Sequence, residues 1–111
     1  MPLFGPPNIQ ELKRKQDVSG LIKALRYWKK DLNVSIAASL ALREIEDARA
    51  VKPLLMALQD QDGFVRAAVV KRLGEIGDAR AVEPLVAALQ DQDDGVRQAA
   101  GNALAAQHPG I

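Results

Sequence analysis

The chain has 111 residues, of which 48% are apolar, 26% charged and 4% aromatic, with 15 Lys and Arg against 14 Asp and Glu. That is the size and balance of one domain folding in water, too apolar for a disordered chain and too often interrupted by charge for a membrane span. The absence of Cys excludes disulfides, thiolate nucleophiles and Cys-based zinc sites, and a single His cannot supply a His-based catalytic metal site, so no enzyme, cofactor or metal is expected.

In chain order, residues 1–7 read as an irregular, Pro-rich segment, and residues 8–111 as a single repeat domain. The start lacks the basic region and the apolar core of about 7–15 residues that mark a secretory signal, so cytoplasmic residence is expected. A short helix is predicted from Asn8, with Glu11 three positions on forming a capping box, to about Gln16. Its apolar residues, Ile9 and Leu12, would cover the N-terminal end of the repeat array. Charge is uneven: Lys13, Arg14, Lys15, Lys23, Arg26, Lys29 and Lys30 give residues 1–31 a net +4, and the remainder carries −3.

The strongest signal is internal repetition. Asp47-Ala-Arg-Ala-Val-Lys-Pro-Leu recurs 31 residues later as Asp78-Ala-Arg-Ala-Val-Glu-Pro-Leu, and the same offset superposes Ala57-Leu-Gln-Asp-Gln-Asp62 on Ala88-Leu-Gln-Asp-Gln-Asp93. Stepping back by 31 from Val65, Ala68, Leu73 and Ile76 lands on Val34, Ala37, Leu42 and Ile45. Val18, Leu21, Ile22 and Leu25 match Val51, Leu54, Leu55 and Leu58 only at 33, so the connection around Tyr27-Trp28-Lys29-Lys30 is two residues longer. Three units result, about 17–46, 47–77 and 78–108.

Each unit reads as two helices. Val51, Leu54, Leu55 and Leu58 fall at i, i+3, i+4 and i+7, one stripe of a helix, and Val65, Ala68, Val69, Leu73 and Ile76 make a second. Asp62 and Asp93 stand where a carboxylate caps the second helix, and Gly77 where a left-handed residue ends it. Pro53 and Pro84, lacking an amide proton, are expected in a first helical turn after a bend at Asp47–Ala50 and its copy. No pair buries its stripe alone, and stacking the pairs makes one continuous core. The fold class is therefore all-α: an α-solenoid of three antiparallel helix pairs with a short N-terminal capping helix.

The motifs Ala-Val-x-Pro-Leu, Asp-x-x-Val-Arg-x-Ala-Ala and Leu-Gly-x-Ile-Gly-Asp resemble the short HEAT-like repeat named for phycobilisome lyases, over roughly residues 17–107. The first unit departs from the pattern, with Ser35 where Arg66 and Arg97 stand and Glu46 where Gly77 stands. The resemblance implies right-handed stacking with the second helices lining the concave side, and a scaffold role binding a protein partner. A minority role in the family, as accessory subunit of a bilin-attaching lyase, is the alternative. The resemblance also implies that Arg66 and Arg97 reach an acidic residue of a neighbouring unit, with Asp47 and Asp78 as the partners.

Other residues that could carry chemistry read as structural. His108 has no second ligand in the chain and reads as a solvated end residue. Asp91-Gln-Asp-Asp94 lacks the spaced ligands and closing Glu of a calcium loop, and one of its carboxylates is needed as a cap. Gly74 and Gly77 lack the spacing and following Lys-Ser/Thr of a phosphate loop. Trp28 continues the stripe of Leu25 and extends the first unit's core, while Tyr27 lies off it beside Arg26, Lys29 and Lys30. The basic N-terminal third could serve an anionic partner, but seven cations without an aromatic ladder do not make a nucleic-acid site, and nucleic acid is not the expected partner.

The binding face is set by about 100° of rotation per residue. With Val34 as origin, the core residues Val34, Ala37, Ala38, Ala41, Leu42 and Ile45 centre near roughly 10°, and Ile36 points away at about 200°. Leu32 and Leu40 flank it; the second unit holds Gly63, Ala67 and Lys71 at these places, beside Phe64 and Val70, and the third holds Asp94, Gln98 and Asn102. A contiguous apolar face marks an interface. The expected partner-binding residues are thus Leu32, Ile36, Leu40, Phe64, Ala67, Val70 and Lys71, facing a partner's helix or extended segment or a second copy of the chain. Packing between neighbouring second helices is the alternative for Phe64 and Val70.

Overall fold

Asn8 opens the first helix by accepting a hydrogen bond from the Glu11 amide at 3.0 Å, so α1 runs Ile9–Arg14 in a computed structural model that describes residues 6–107. The Glu11 carboxylate, expected to return to Asn8, pairs with Arg14 and Lys15 instead. Gln16, with φ at 55°, turns the chain, and Asp17 caps α2 (Val18–Ala24) through the Gly20 amide. A 3-10 turn over Leu25–Lys29 takes up the lengthened connection, and Asp31 caps α3 (Leu32–Glu44). Residues 1–5 and His108 lie outside the described residues.

The second pair is α4 (Asp47–Ala57) and α5 (Gly63–Ile76), capped by Asp62 and ended by Gly77 in the left-handed region at φ 73°. The third is a 3-10 turn at Ala79–Ala81, α6 (Val82–Ala88) and α7 (Asp94–Gln107), whose first amides, Gly95 and Val96, donate to Asp93. Pro84 thus sits in a first turn as expected, but Pro53 does not, because α4 already begins at Asp47. The near-identical octapeptides differ in what holds their aspartate. Asp78 accepts from the Arg80 amide and guanidinium, which stabilises a separate 3-10 turn. Asp47 accepts from Arg72 of α5 at 2.8 Å, and its backbone enters the helix, leaving Pro53 inside with no amide to give Arg49.

The pairs stack as an α-solenoid measuring 53 × 28 × 20 Å, with α1 laid against α2 and α3 at the N-terminal end. Among the described residues, the fully buried leucines are Leu21 and Leu25 in the first pair, Leu54 and Leu73 in the second and Leu85 in the third. Each contributes about 1.5–3 kcal/mol. The core is therefore spread along the stack, and no pair holds enough of it to stand alone.

The two junctions between pairs differ. Between the second and third, α5 lies along α7 over most of its length, because a Cβ added at Gly74 would meet the Ala103 backbone Cα at 2.9 Å, and only glycine permits that approach. Arg43 occupies the place of Gly74 in the first pair, and Leu32 that of Gly63. There α3 touches α5 only briefly, the junction is made by α2 on α4, and Arg43 reaches across to Glu75 at 3.6 Å. This splay decides which side chains of α3 remain uncovered.

Candidate functional site

A line of arginine–aspartate contacts runs along the turns and sets the spacing of the units. Arg66 donates to both carboxylate oxygens of Asp91 at 3.0 Å and to the carbonyl of Asp60 at 2.8 Å. Its partner in the next unit is therefore Asp91, not Asp78, and Asp47 is taken by Arg72. The reason is geometric: Arg66 is in the first turn of α5, level with the interhelix turns, whereas Asp47 and Asp78 lie where the second helices end. Arg97 repeats the local part, donating to the Asp91 carbonyl at 2.5 Å, and pairs with Asp94 of its own helix.

In the first unit Ser35 replaces the arginine, and the Asp60 carboxylate that would receive it is held by Arg26 from the lengthened connection. Burial alone would raise the Asp60 carboxyl, but the bond from Arg26, with the Asp62 amide and Arg66, outweighs it and holds the group below the ordinary carboxylate range. The Arg66 guanidinium does the same to Asp91 against a smaller cost of burial. Ser35 itself is buried, and among the described protein groups its hydroxyl finds no hydrogen-bond partner.

Above this line lies the apolar stripe of α3. Leu32 is 52% exposed, Ile36 47% and Leu40 54%, at i, i+4 and i+8 on one side of the helix, while Ala38, Ala41 and Leu42 on the other are buried. Phe64, near the start of α5, is 39% exposed. Ala67 is half-buried against the core, Lys71 is exposed, and so are Asp94, Gln98 and Asn102 of α7. Val70 does not belong to this face: it is fully buried, because α5 and α7 close on each other at that side.

Trp28 also departs from expectation. It is only half-buried and leaves the first unit's core to stack on Phe64, with ring centroids 5.0 Å apart and 21° between planes. Its indole N–H needs an acceptor and donates to the Asp62 carboxylate at 3.0 Å, which draws the ring to the junction between units. The two rings, Lys29, Asp62, Gly63 and Asp93 line a shallow recess of about 450 Å³. Sequence patterning missed this pair because its two members lie in different units. Their offset, with Phe64 at an exposed helix start beside a lone tryptophan in an insertion, was the available signal.

The basic N-terminal third is largely engaged within the chain. Lys13 pairs with Glu44, Arg14 and Lys15 with Glu11, and Arg26 with Asp60, while Lys29 and Lys30 lie over the rings of Trp28 and Tyr27. Arg72, which falls within an apolar stripe of the sequence, donates from a buried position to the carbonyls of Leu42 and Ile45 and to Asp47, closing the C-terminal end of α3. Its signal was a lone charge at a place held by Ala41 and Ala103 in the other units. No helix among the described residues is long and apolar enough to cross a membrane.

Comparison with protein families gives a match over most of the chain: a family model described as HEAT repeats covers residues 18–105. No match is found among curated proteins.

Proposed function

The chain belongs to the HEAT-repeat family, and from that premise we propose that it is a non-catalytic protein-interaction scaffold holding one partner segment against Leu32, Ile36 and Leu40 of α3. Repeats of this family generally serve protein interactions. The observation that carries the finer reading is the exposure of three large aliphatic side chains in one line, each about half in water, where most other large apolar side chains among the described residues are buried or half-buried. A line at i, i+4 and i+8 suits the apolar edge of an amphipathic helix. Phe64 and Ala67 extend it toward the second unit, and Lys71 at its border offers a cation to a partner carboxylate. Val70 is no part of the proposed face.

Support for the non-catalytic reading comes from the acidic residues: Asp31, Asp62 and Asp93 are spent as helix caps, and Asp60 and Asp91 as arginine partners. Within the family, the Ala-Val-x-Pro-Leu and Val-Arg-x-Ala-Ala motifs support the phycobilisome-lyase type of repeat.

The test is sedimentation over a range of concentrations together with partner capture, on the native chain and on Ile36→Asp and Leu40→Asp. Both residues are half in water, so circular dichroism is expected to stay unchanged. Loss of self-association or of captured partners in both variants is the expected result. Retention of every interaction, with the fold intact, would overturn the proposed face.

A further inference from the structure

The recess at Trp28 and Phe64 holds an acceptor that the chain leaves unused. Asp62 and Asp93 are copies of one another, each capping the second helix of its unit, yet they are engaged to different degrees. Asp62 accepts from the Phe64 amide with one carboxylate oxygen and from the Trp28 indole with the other. Asp93 accepts from the Gly95 and Val96 amides with Oδ1, and among the described residues its Oδ2 has no donor. The cause is in the sequence: at the place of Trp28 the second unit has Gln59 or Gln61, at offsets of 31 and 33, and neither donates to Asp93. Gly63 admits that oxygen to the recess, because a Cβ at residue 63 would run into the Asp93 carboxylate; Leu32 stands at this place in the first unit.

We propose that this recess binds the guanidinium of an arginine side chain from a partner protein. Its lining sets Lys29 against Asp62 and Asp93, a net charge of −1, so one cation neutralises it and an anion is repelled. Trp28 already has Lys29 over its ring at 5.1 Å and Phe64 stacked at 5.0 Å, which leaves Phe64, 39% exposed, as the more open ring. A guanidinium is planar, so it can lie on that ring and direct its N–H groups to Asp93 Oδ2 in one pose. An ammonium has no flat face to lay there.

The source is a polypeptide because the recess is shallow. A free guanidinium compound would keep much of its surface in water there, whereas a side chain brings a backbone whose other contacts share the cost of association. Phe64 also belongs to the face proposed above, so the partner's being a protein rests on that reading, while the arginine site itself is carried by Asp93, Gly63 and Trp28, which lie outside it. Among the described arginines of this chain, Arg49 alone has a guanidinium with neither hydrogen bond nor ion pair, and it is the residue that a second copy would have to insert.

The experiment follows the indole N–H resonance of Trp28, the only tryptophan, while blocked Gly-Arg-Gly, Gly-Lys-Gly and Gly-citrulline-Gly peptides are added at constant ionic strength. The arginine peptide is expected to shift it saturably in the millimolar range, the lysine peptide to bind at least about threefold more weakly, and the uncharged citrulline peptide not at all. Asp93→Asn keeps the capping oxygen, Phe64→Leu keeps apolar bulk without the ring, and Gly63→Ala displaces the carboxylate; each should weaken arginine binding at least about threefold with circular dichroism unchanged. Ile36→Asp, which disables the α3 stripe, should leave that binding as it is, so the two proposals fail separately. No saturable shift, equal binding of the lysine or citrulline peptide, or binding indifferent to both Asp93→Asn and Phe64→Leu would overturn the proposal. Free L-arginine binding more tightly than the peptide would make the recess a small-molecule site, and a concentration-dependent shift without peptide, abolished by Arg49→Gln, would give it to a second copy; either result overturns the partner's arginine.

Discussion

Arg26 holds the carboxylate of Asp60 from the start of the connection that is two residues longer in the first unit, and so fills the position that Ser35 leaves empty in the arginine line. The lengthened connection and the missing arginine are one compensated change. The Asp60 side chain is 5% exposed and its partner Arg26 53%, so the carboxylate loses more than the arginine does if the pair is broken.

Breaking the crossings should therefore cost more than breaking a pair within one turn. Arg66→Ala removes a bidentate contact whose side chains are 18% and 16% exposed, and is expected to lower stability by about 2–3 kcal/mol. Arg80→Ala, at an exposed pair with Asp78, is expected to leave stability nearly unchanged. Urea unfolding of Arg66→Ala, Asp91→Ala and the double variant should give a coupling of at least about 1 kcal/mol.

Ser35 offers the opposite case. Its hydroxyl is buried without a partner among the described groups, so Ser35→Ala removes a desolvated polar atom at little loss of packing. A gain of about 1 kcal/mol is expected, read as a higher urea midpoint at unchanged m-value. A loss would mean that the hydroxyl is satisfied.

Gly74 tests the tight junction. Alanine is the better helix former by about 1 kcal/mol, yet a Cβ there runs into Ala103, and overpacking costs about 1–3 kcal/mol. Gly74→Ala is expected to be destabilising on balance. Adding Ala103→Gly should restore part of the loss, because it reopens the space from the other side, whereas Ala103→Gly alone should only weaken α7. Additive losses in the double variant would refute the contact.

Acid should loosen the stack at its turns. Asp60 and Asp91 have folded-state pKa values below their ordinary ones, so their contribution to stability is complete above the unfolded value of about 3.9 and is lost as pH falls through the lower folded values. Melting midpoints are expected to change little on this account between pH 7 and 5, and to drop below pH 4. Asp91→Asn should start from a lower midpoint and show a shallower acid drop.

Much of this protein was determined by sequence alone. The three helix pairs, their caps at Asp62 and Asp93, the left-handed Gly77 and the buried stripes all arise from local periodicity and from backbone groups that a near neighbour must satisfy. The outward direction of Leu32, Ile36 and Leu40 is equally local, since it depends only on the angle per residue. Tertiary structure decided what distance along the chain conceals. Val70 is buried because α5 meets α7, Trp28 leaves its own unit because Asp62 accepts its N–H, and Arg66 finds Asp91 rather than Asp78 because the turns, not the helix ends, lie level with it. Periodicity tells which side of a helix is apolar, but how closely two helices approach is set by the residues at their crossing, Gly74 against Ala103 in one junction and Arg43 in the other.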